Sequence, residues 1–330
     1  MNRWTSYPTT IPHGLMFHHF HGGRHPKVQG SISHKEFEEI LEFVGPGRLL
    51  SPEDWLEKVQ KGSLGNGDLC ITFDDALLCQ FEIALSTLER LGIKAFWFVY
   101  SGVFEGHLQR MEIYRFFRCS CFNEISEFYD IFFGKVLVTE FAQPVEEVIK
   151  SADVEGILRA FPFYSIQDIR FRLIRDRLLP AKEYERIMEE MIQERGVEIE
   201  ELSKHLWMNN HHLQYLTENG HQVGLHSYSH PMLLGNYPYE YQVNEYVRNY
   251  GHIQKVCRKK PQAVAYPANS YNDDTGRILK DLDVCCGFRS NMVPPRNDHG
   301  INPNNLELAR EDHVNILRMM HGKVRNHFDQ

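Results

Sequence analysis

The sequence predicts an α/β protein built on a parallel sheet, with a separate helical part. Three observations point there. Four short apolar runs read as buried strands, amphipathic helical patterns lie between them, and those helices stop at glycines suited to a left-handed cap. Strand–helix–strand alternation of this kind belongs to parallel βαβ units.

In chain order, the first strand is Gly14–Phe17 (GLMF), which breaks into a histidine-rich loop. Ser33 then reads as a helix N-cap: Glu36 stands three positions on, and Phe37, Ile40, Leu41 and Phe43 follow at helical spacing. The second strand is Leu69–Phe73 (LCITF). Gln80–Leu91 has apolar residues at helical spacing and stops at Gly92. Ala95–Tyr100 (AFWFVY) is the third strand. Leu213–Asn219 is a helix ending at Gly220, and Gln222–Leu225 (QVGL) is the fourth strand. The alternation fails between about Phe104 and His205, where helices are expected at Leu108–Arg118, Phe122–Phe133, Val145–Ile149, Ile166–Arg177, Lys182–Arg195 and Ile199–Leu206, punctuated by Pro144, Pro162 and Pro180. The chain therefore divides into a discontinuous α/β domain, residues 1–103 and 206–330, and a helical insertion, residues 104–205. The insertion reads as an ordinary subdomain with its own apolar face, or as a lid or a surface for homo-oligomer formation.

Composition narrows the function. The 330 residues include 42% hydrophobic and 24% charged, ordinary for a globular protein, with a net charge of −8. A mildly acidic chain without a Lys/Arg stripe excludes nucleic acid as the expected partner. The seven cysteines are odd in number and include no C-x-x-C pair, which argues for reduced thiols rather than a disulfide framework or a zinc ribbon. The N-terminal stretch MNRWTSYPTTIPHG lacks an apolar signal core, and no apolar run approaches the roughly 20 residues of a membrane helix, so a cytoplasmic protein without a transmembrane segment is expected.

Two clusters carry chemistry. Asp74 and Asp75 follow directly on a buried strand, and adjacent carboxylates there repel unless a cation or proton lies between them. One of them binding a metal while the other stays free as a base resolves the repulsion; capping a helix that begins near Leu77 is the alternative. His226 and His230, four apart after the strand Gln222–Leu225, would face the same side of one helical turn, as metal-binding pairs do, although exposed pairs at this spacing are common. An Asp–His–His set leaves a coordination position open, the arrangement of a catalytic metal site.

Taken together, TFDD at Thr72–Asp75 and H-S-x-x-H at His226–His230 resemble the polysaccharide deacetylases, the NodB-type domain of carbohydrate esterase family 4. Leu213–His230 (LQYLTENGHQVGLHSYSH) resembles the family's helix and G-H-E-x-G block. Ala265–Asp273 (AYPANSYND) resembles its A-Y-P-x-G-x-Y-N-D segment. Gly287–Asn291 and Leu308–Arg310 resemble its late strand and L-P-R segment. The likeness spans roughly residues 14–103 and 206–316.

The resemblance implies a distorted (β/α)7-type barrel with a large helical insertion and the site at the C-terminal strand ends. It implies a metal-dependent carbohydrate N-deacetylase, a hydrolase of linear amides. Asp75, His226 and His230 would be the metal ligands, and Asp74 the general base toward the attacking water. The oxyanion would be met by a main-chain N–H near Ala268, with Tyr266, Pro267 and Asn269 beside the substrate. The leaving amine needs an acid. A branch of the family with an N-terminal L-M-Y-H motif supplies it there, and Leu15–His18 (LMFH) resembles that motif. His18 is thus the expected acid and His19 its nearest rival, while His13, His21 and His25 are expected in loops. The family's Arg partner of the base is absent, its position being Ala265, and Arg310 could supply that charge from another strand end. Zn2+ is the expected metal, with Ni2+, Co2+, Mn2+ or Fe2+ also suited to two His and one carboxylate. The expected substrate is an N-acylated, foremost N-acetylated, amino sugar: a nucleotide-linked, lipid-linked or oligosaccharide precursor of a surface polysaccharide. Tyr266, Tyr271 and Trp97 could stack on sugar rings. A deformylase or amidase of a small amide, and an inactive glycan-binding module, are the alternatives.

Overall fold

All four apolar runs form strands: His13–Phe17 (β1), Leu69–Phe73 (β2), Ala95–Val99 (β3) and Gln222–Leu225 (β4). The structure, a computed structural model, describes residues 7–8, 10–160, 165–295 and 300–322. It adds three strands of three residues each, Ala263–Ala265 (β5), Cys286–Phe288 (β6) and Arg310–Asp312 (β7). Every pairing is parallel, in the order β6-β5-β4-β3-β2-β1-β7. Just before β7, Leu308 bridges Phe288, and the Arg289 N–H donates to the Leu308 carbonyl at 2.8 Å. The two edge strands thus nearly meet, and the sheet is the distorted (β/α)7 barrel of the polysaccharide deacetylase fold.

Strand alternation sorts the core into two layers. Cys70, Phe96, Phe98, Ala263, Ala265, Cys286 and Phe288 fill the barrel with Trp55, Leu56 and Val59 of the helix Pro52–Lys61. Their strand neighbours Leu15, Phe17, Ile71, Phe73, Trp97, Val99, Val223 and Leu225 face outward and pack with the surrounding helices. Trp97 belongs to this outer layer. It is fully buried, stacks on Phe73 at 4.3 Å and donates its indole N–H to His221, so it is core and not a sugar platform.

The helices follow their signals. Ser33 and Glu36 close a reciprocal capping box on the helix His34–Val44. The run Gln80–Leu91 opens as a wide π turn, Gln80–Ala84, and continues as the α-helix Leu85–Leu91 before Gly92. His13 departs from its expected place in a loop. It opens β1, is fully buried, donates from Nδ1 to the Ile11 carbonyl and accepts at Nε2 from Tyr7. The histidine-rich stretch had hidden the true strand start.

The chain forms two compact units, Met1–Gln109 with Trp207–Gln330, and Arg110–Leu206. The second unit is helical, with helices at Arg110–Ser120, Ile125–Leu137, Val145–Lys150, Val154–Ala160, Ile166–Leu173, Ala181–Glu194 and Ile199–Ser203. Pro144 and Pro180 stand just before two of these helices, while Pro162 lies outside the described residues. Phe117, Phe128, Phe132 and Phe171 give the unit an aromatic core of its own, with the Arg118 guanidinium 5.1 Å from the Phe171 ring. Among the described residues no helix is long and apolar enough to cross a membrane, and all seven cysteines are free thiols.

Candidate active site

The inner row of the barrel delivers the site. Continuing the period of two past the strand ends carries Gly14–Met16 to His18, Cys70–Thr72 to Asp74, Phe96–Phe98 to Tyr100 and Gly224 to His226. Four chemically capable side chains therefore finish at one rim, the C-terminal strand ends, where barrels of parallel strands keep their chemistry.

Asp74 is buried and gripped from β7. Arg310, with no exposed surface, donates from both terminal nitrogens to the two carboxylate oxygens at 2.7 Å each. Its Nε donates to the Arg289 carbonyl, and one terminal nitrogen also reaches Thr72 Oγ1 at 3.2 Å. Arg310 pairs in register with Gly14, where a Cβ would stand 3.0 Å from the arginine's Cγ; glycine leaves the passage open. Burial by itself would raise the Asp74 carboxyl, but the Arg310 charge, helped by His226 and His18, holds it below the ordinary carboxylate value. His18 Nε2 lies 3.7 Å from Asp74 Oδ2 with the ring 29% exposed. Gln80 locks both strand ends by donating to the carbonyls of His18 and Asp74.

Asp75 faces the other way. Its φ of +78° turns the chain, and the carboxylate points to His226 and His230, whose Nε2 atoms lie 3.3 and 3.4 Å from Oδ1. The two histidines are not on a helical turn. They sit in a loop after β4 in which Ser227 and His230 have positive φ, and this loop, not helix geometry, brings the rings to a 4.9 Å centroid separation. The loop is pinned by buried polar groups: Asn249 accepts the His226 N–H, and Glu245 accepts the N–H groups of Tyr228 and Ser229 and the Ser229 hydroxyl. His226 Nδ1 donates to the Ala265 carbonyl at 2.7 Å. In the neutral ring that bond places the proton on Nδ1 and turns the Nε2 lone pair toward Asp75, whose Oδ1 is buried without a hydrogen-bond partner. Two imidazole nitrogens and a carboxylate oxygen, all within 4.8 Å of one another, form a donor set that suits a divalent cation.

Six non-glycine residues at the site, Asp75, Ala76, Ser227, His230, Ala268 and Asn269, adopt positive φ; elsewhere among the described residues only Arg258 and Asp283 do. Backbone strain of this kind is held by surrounding structure and gathers at functional sites. Ala268 is exposed in the turn Pro267–Asn269 after β5, with Pro267 buried beneath it. Asn269 stands at the family's glycine position, takes φ +58° and accepts the Ser290 N–H. The Tyr266 ring is spent in the core, stacked on Tyr271 with its hydroxyl donating to the Leu306 carbonyl, so that ring is not a sugar platform. His19 is half-buried, and its carbonyl accepts from Ile32. His21 pairs with Ser31, and His25 pairs with Glu82.

Residues 180–286 match the family model of the polysaccharide deacetylases. Over that stretch, about a third of the chain, the sequence is similar to the polysaccharide deacetylases. The matched stretch holds His226, His230 and the segment Tyr266–Asn269, while His18, Asp74, Asp75 and Arg310 lie outside it. Among solved structures, the deacetylase PplD of Streptococcus pyogenes in complex with acetate superposes with a TM-score of 0.52 at 16% identity, covering 95% of this chain and 99% of that one. IcaB from Ammonifex degensii superposes with a TM-score of 0.54 at 13% identity, covering 93% of each chain. A polysaccharide deacetylase from Bacillus cereus gives 0.50 at 12% identity, covering 96% of this chain and 70% of that one. At such identities these likenesses speak for the deacetylase fold. No curated protein matches the sequence.

Site residues that the sequence did not single out are Tyr100, Gln80, Glu245, Asn249 and Trp207. Tyr100 had a signal, its place two positions beyond Phe98 on the inner row. The others come to the rim only through tertiary pairing.

Proposed function

We propose that the chain is a metal-dependent hydrolase that removes an N-acyl group, foremost N-acetyl, from an amino sugar. The observation that carries this reading is the pair of adjacent carboxylates with different partners: Asp74 held by both terminal nitrogens of Arg310, and Asp75 facing the Nε2 atoms of His226 and His230 at 3.3 and 3.4 Å. Asp75, His226 and His230 would hold the ion, zinc foremost given the N,N,O donors, with nickel, cobalt, manganese and iron also suited. A bound divalent ion supplies Lewis acidity, polarising the amide carbonyl and easing deprotonation of water.

The chain's own groups do the rest. Asp74, kept ionised by Arg310, takes the proton of the attacking water as its oxygen bonds to the carbonyl carbon. The exposed turn at Ala268 offers a main-chain N–H to the charge growing on the carbonyl oxygen. His18, on the Asp74 side of the cleft, gives a proton to the nitrogen as the C–N bond breaks, releasing the acid and the free amine. The substrate class is an N-acylated sugar in nucleotide-linked, lipid-linked or oligosaccharide form.

The test is metal content with amine release on wild type, Asp75→Ala and His18→Ala, against N-acetylated sugars, nucleotide sugars and simple formamides. About one metal per chain in wild type, lost in Asp75→Ala, is expected. His18→Ala should keep the metal and lose activity by about 100-fold or more. Wild type that takes up no divalent metal would sink the hydrolase reading, and release only from formamides would replace the sugar.

A further inference from the structure

The helical unit leaves the barrel unit after Gln109 and returns at Trp207. At that return, Trp207 forms an antiparallel bridge with Leu77, and the Met208 N–H donates to the Ala76 carbonyl at 2.9 Å. Both partners follow Asp75 directly, in the stretch where Asp75 and Ala76 have positive φ. The Trp207 indole N–H donates to the Tyr100 hydroxyl at 2.5 Å. Tyr100 is buried, and its ring lies 5.3 Å from His230 and 6.5 Å from His226, centroid to centroid. A single residue thus touches the turn that carries Asp75 and the ring that walls the two histidines.

We propose that Trp207 is a positioning residue that registers Asp75 against His226 and His230 by pairing with Leu77 and holding Tyr100. This rests on the metal-site reading above. The three donors come from two stretches distant in sequence, Asp75 after β2 and the two histidines after β4, so their spacing depends on what ties those strand ends together. Backbone pairing at Ala76–Leu77 sets the direction of the Asp75 turn. The Trp207–Tyr100 hydrogen bond fixes the wall against which both imidazoles pack. Groups that hydrogen-bond a metal ligand directly typically govern affinity by about 10–100-fold, and a contact one step further out belongs at the lower end of that range. The same bond joins Tyr100, at the end of β3 before the helical unit, to the residue on which the chain returns. The barrel unit therefore resumes on a residue that touches the site.

The experiment uses the full chain, stripped of metal with a chelator, and measures zinc affinity by competition with a chromophoric chelator. Trp207→Phe keeps the ring and loses the N–H; Tyr100→Phe loses the acceptor. Each should weaken zinc binding by about 10-fold, with the melting temperature of the metal-free protein little changed. The double variant should lose no more than either single one, because both remove the same bond. Zinc affinity equal to wild type in folded Trp207→Phe, or additive losses in the double variant, would overturn the proposal while leaving the metal site intact. If Trp207→Phe does not fold, Tyr100→Phe decides by the same criterion. A wild type that binds no zinc overturns the metal-site reading and this one with it.

Discussion

Arg310 stands in for a charge that the resembling family places at the position of Ala265. The substitution works because the inner row of β7 lies across β1 from the Asp74 strand, and Gly14 leaves room for the arginine stem to cross. Its removal strands a buried carboxylate. Arg310→Met should destabilise the fold by about 3–5 kcal/mol. Asp74→Asn combined with Arg310→Met should recover part of the loss, and urea unfolding of the single and double variants checks both. Asn269 makes a smaller case. Its left-handed φ and its bond from the Ser290 N–H suit Asn, so Asn269→Ala should cost about 1 kcal/mol and Asn269→Gly less, read as shifts in the thermal midpoint.

At the scale of elements, Gly14 is the tightest point. Gly14→Ala places a Cβ 3.0 Å from Arg310 Cγ and 3.1 Å from Thr72 Cγ2. The neighbours are side-chain atoms inside a packed barrel, so the variant should lose about 1–3 kcal/mol and displace the Arg310–Asp74 pair, seen as lower stability together with lower amine release. How much of the elements was legible in the sequence follows from their length. β1 to β4 have four or five residues, enough for an apolar run to stand out. β5, β6 and β7 have three, too few for any periodicity, and β7 reads Arg-Glu-Asp, which resembles no buried strand. The capping signals at Ser33 and Gly92 were legible because caps are local chemistry. The helical turn expected for His226 and His230 failed because a spacing of four does not distinguish a helix from a loop that folds back through two left-handed residues.

For the whole molecule, two buried histidines set a pH limit. Burial lowers His13 and His221 to about 4, and the His221 Nδ1 accepts from the Ala95 N–H and the Trp97 indole. In the unfolded chain both titrate near about 6.5. As pH falls below that value the unfolded state takes up protons first and the folded state does not. Stability is therefore full above about 6.5 and lost as pH falls toward 4, by about 1.4 kcal/mol per pH unit for each residue. Urea midpoints at pH 7 and pH 5 should show the fall, and His13→Gln should make it shallower.

The sequence by itself determined the alternating α/β pattern, the helical interruption and the residue types of the rim, because these depend on local periodicity, on caps and on side chains that stand next to strand ends. It also marked Arg310 as a candidate through its motif. Only the tertiary structure decided which groups meet. Barrel closure put Arg310 on Asp74, a strained loop aimed His230 at Asp75, and the return of the chain set Trp207 against Tyr100. The physical reason is that these contacts join residues far apart in the chain, and such pairings depend on strand register and sheet closure, which no local pattern encodes.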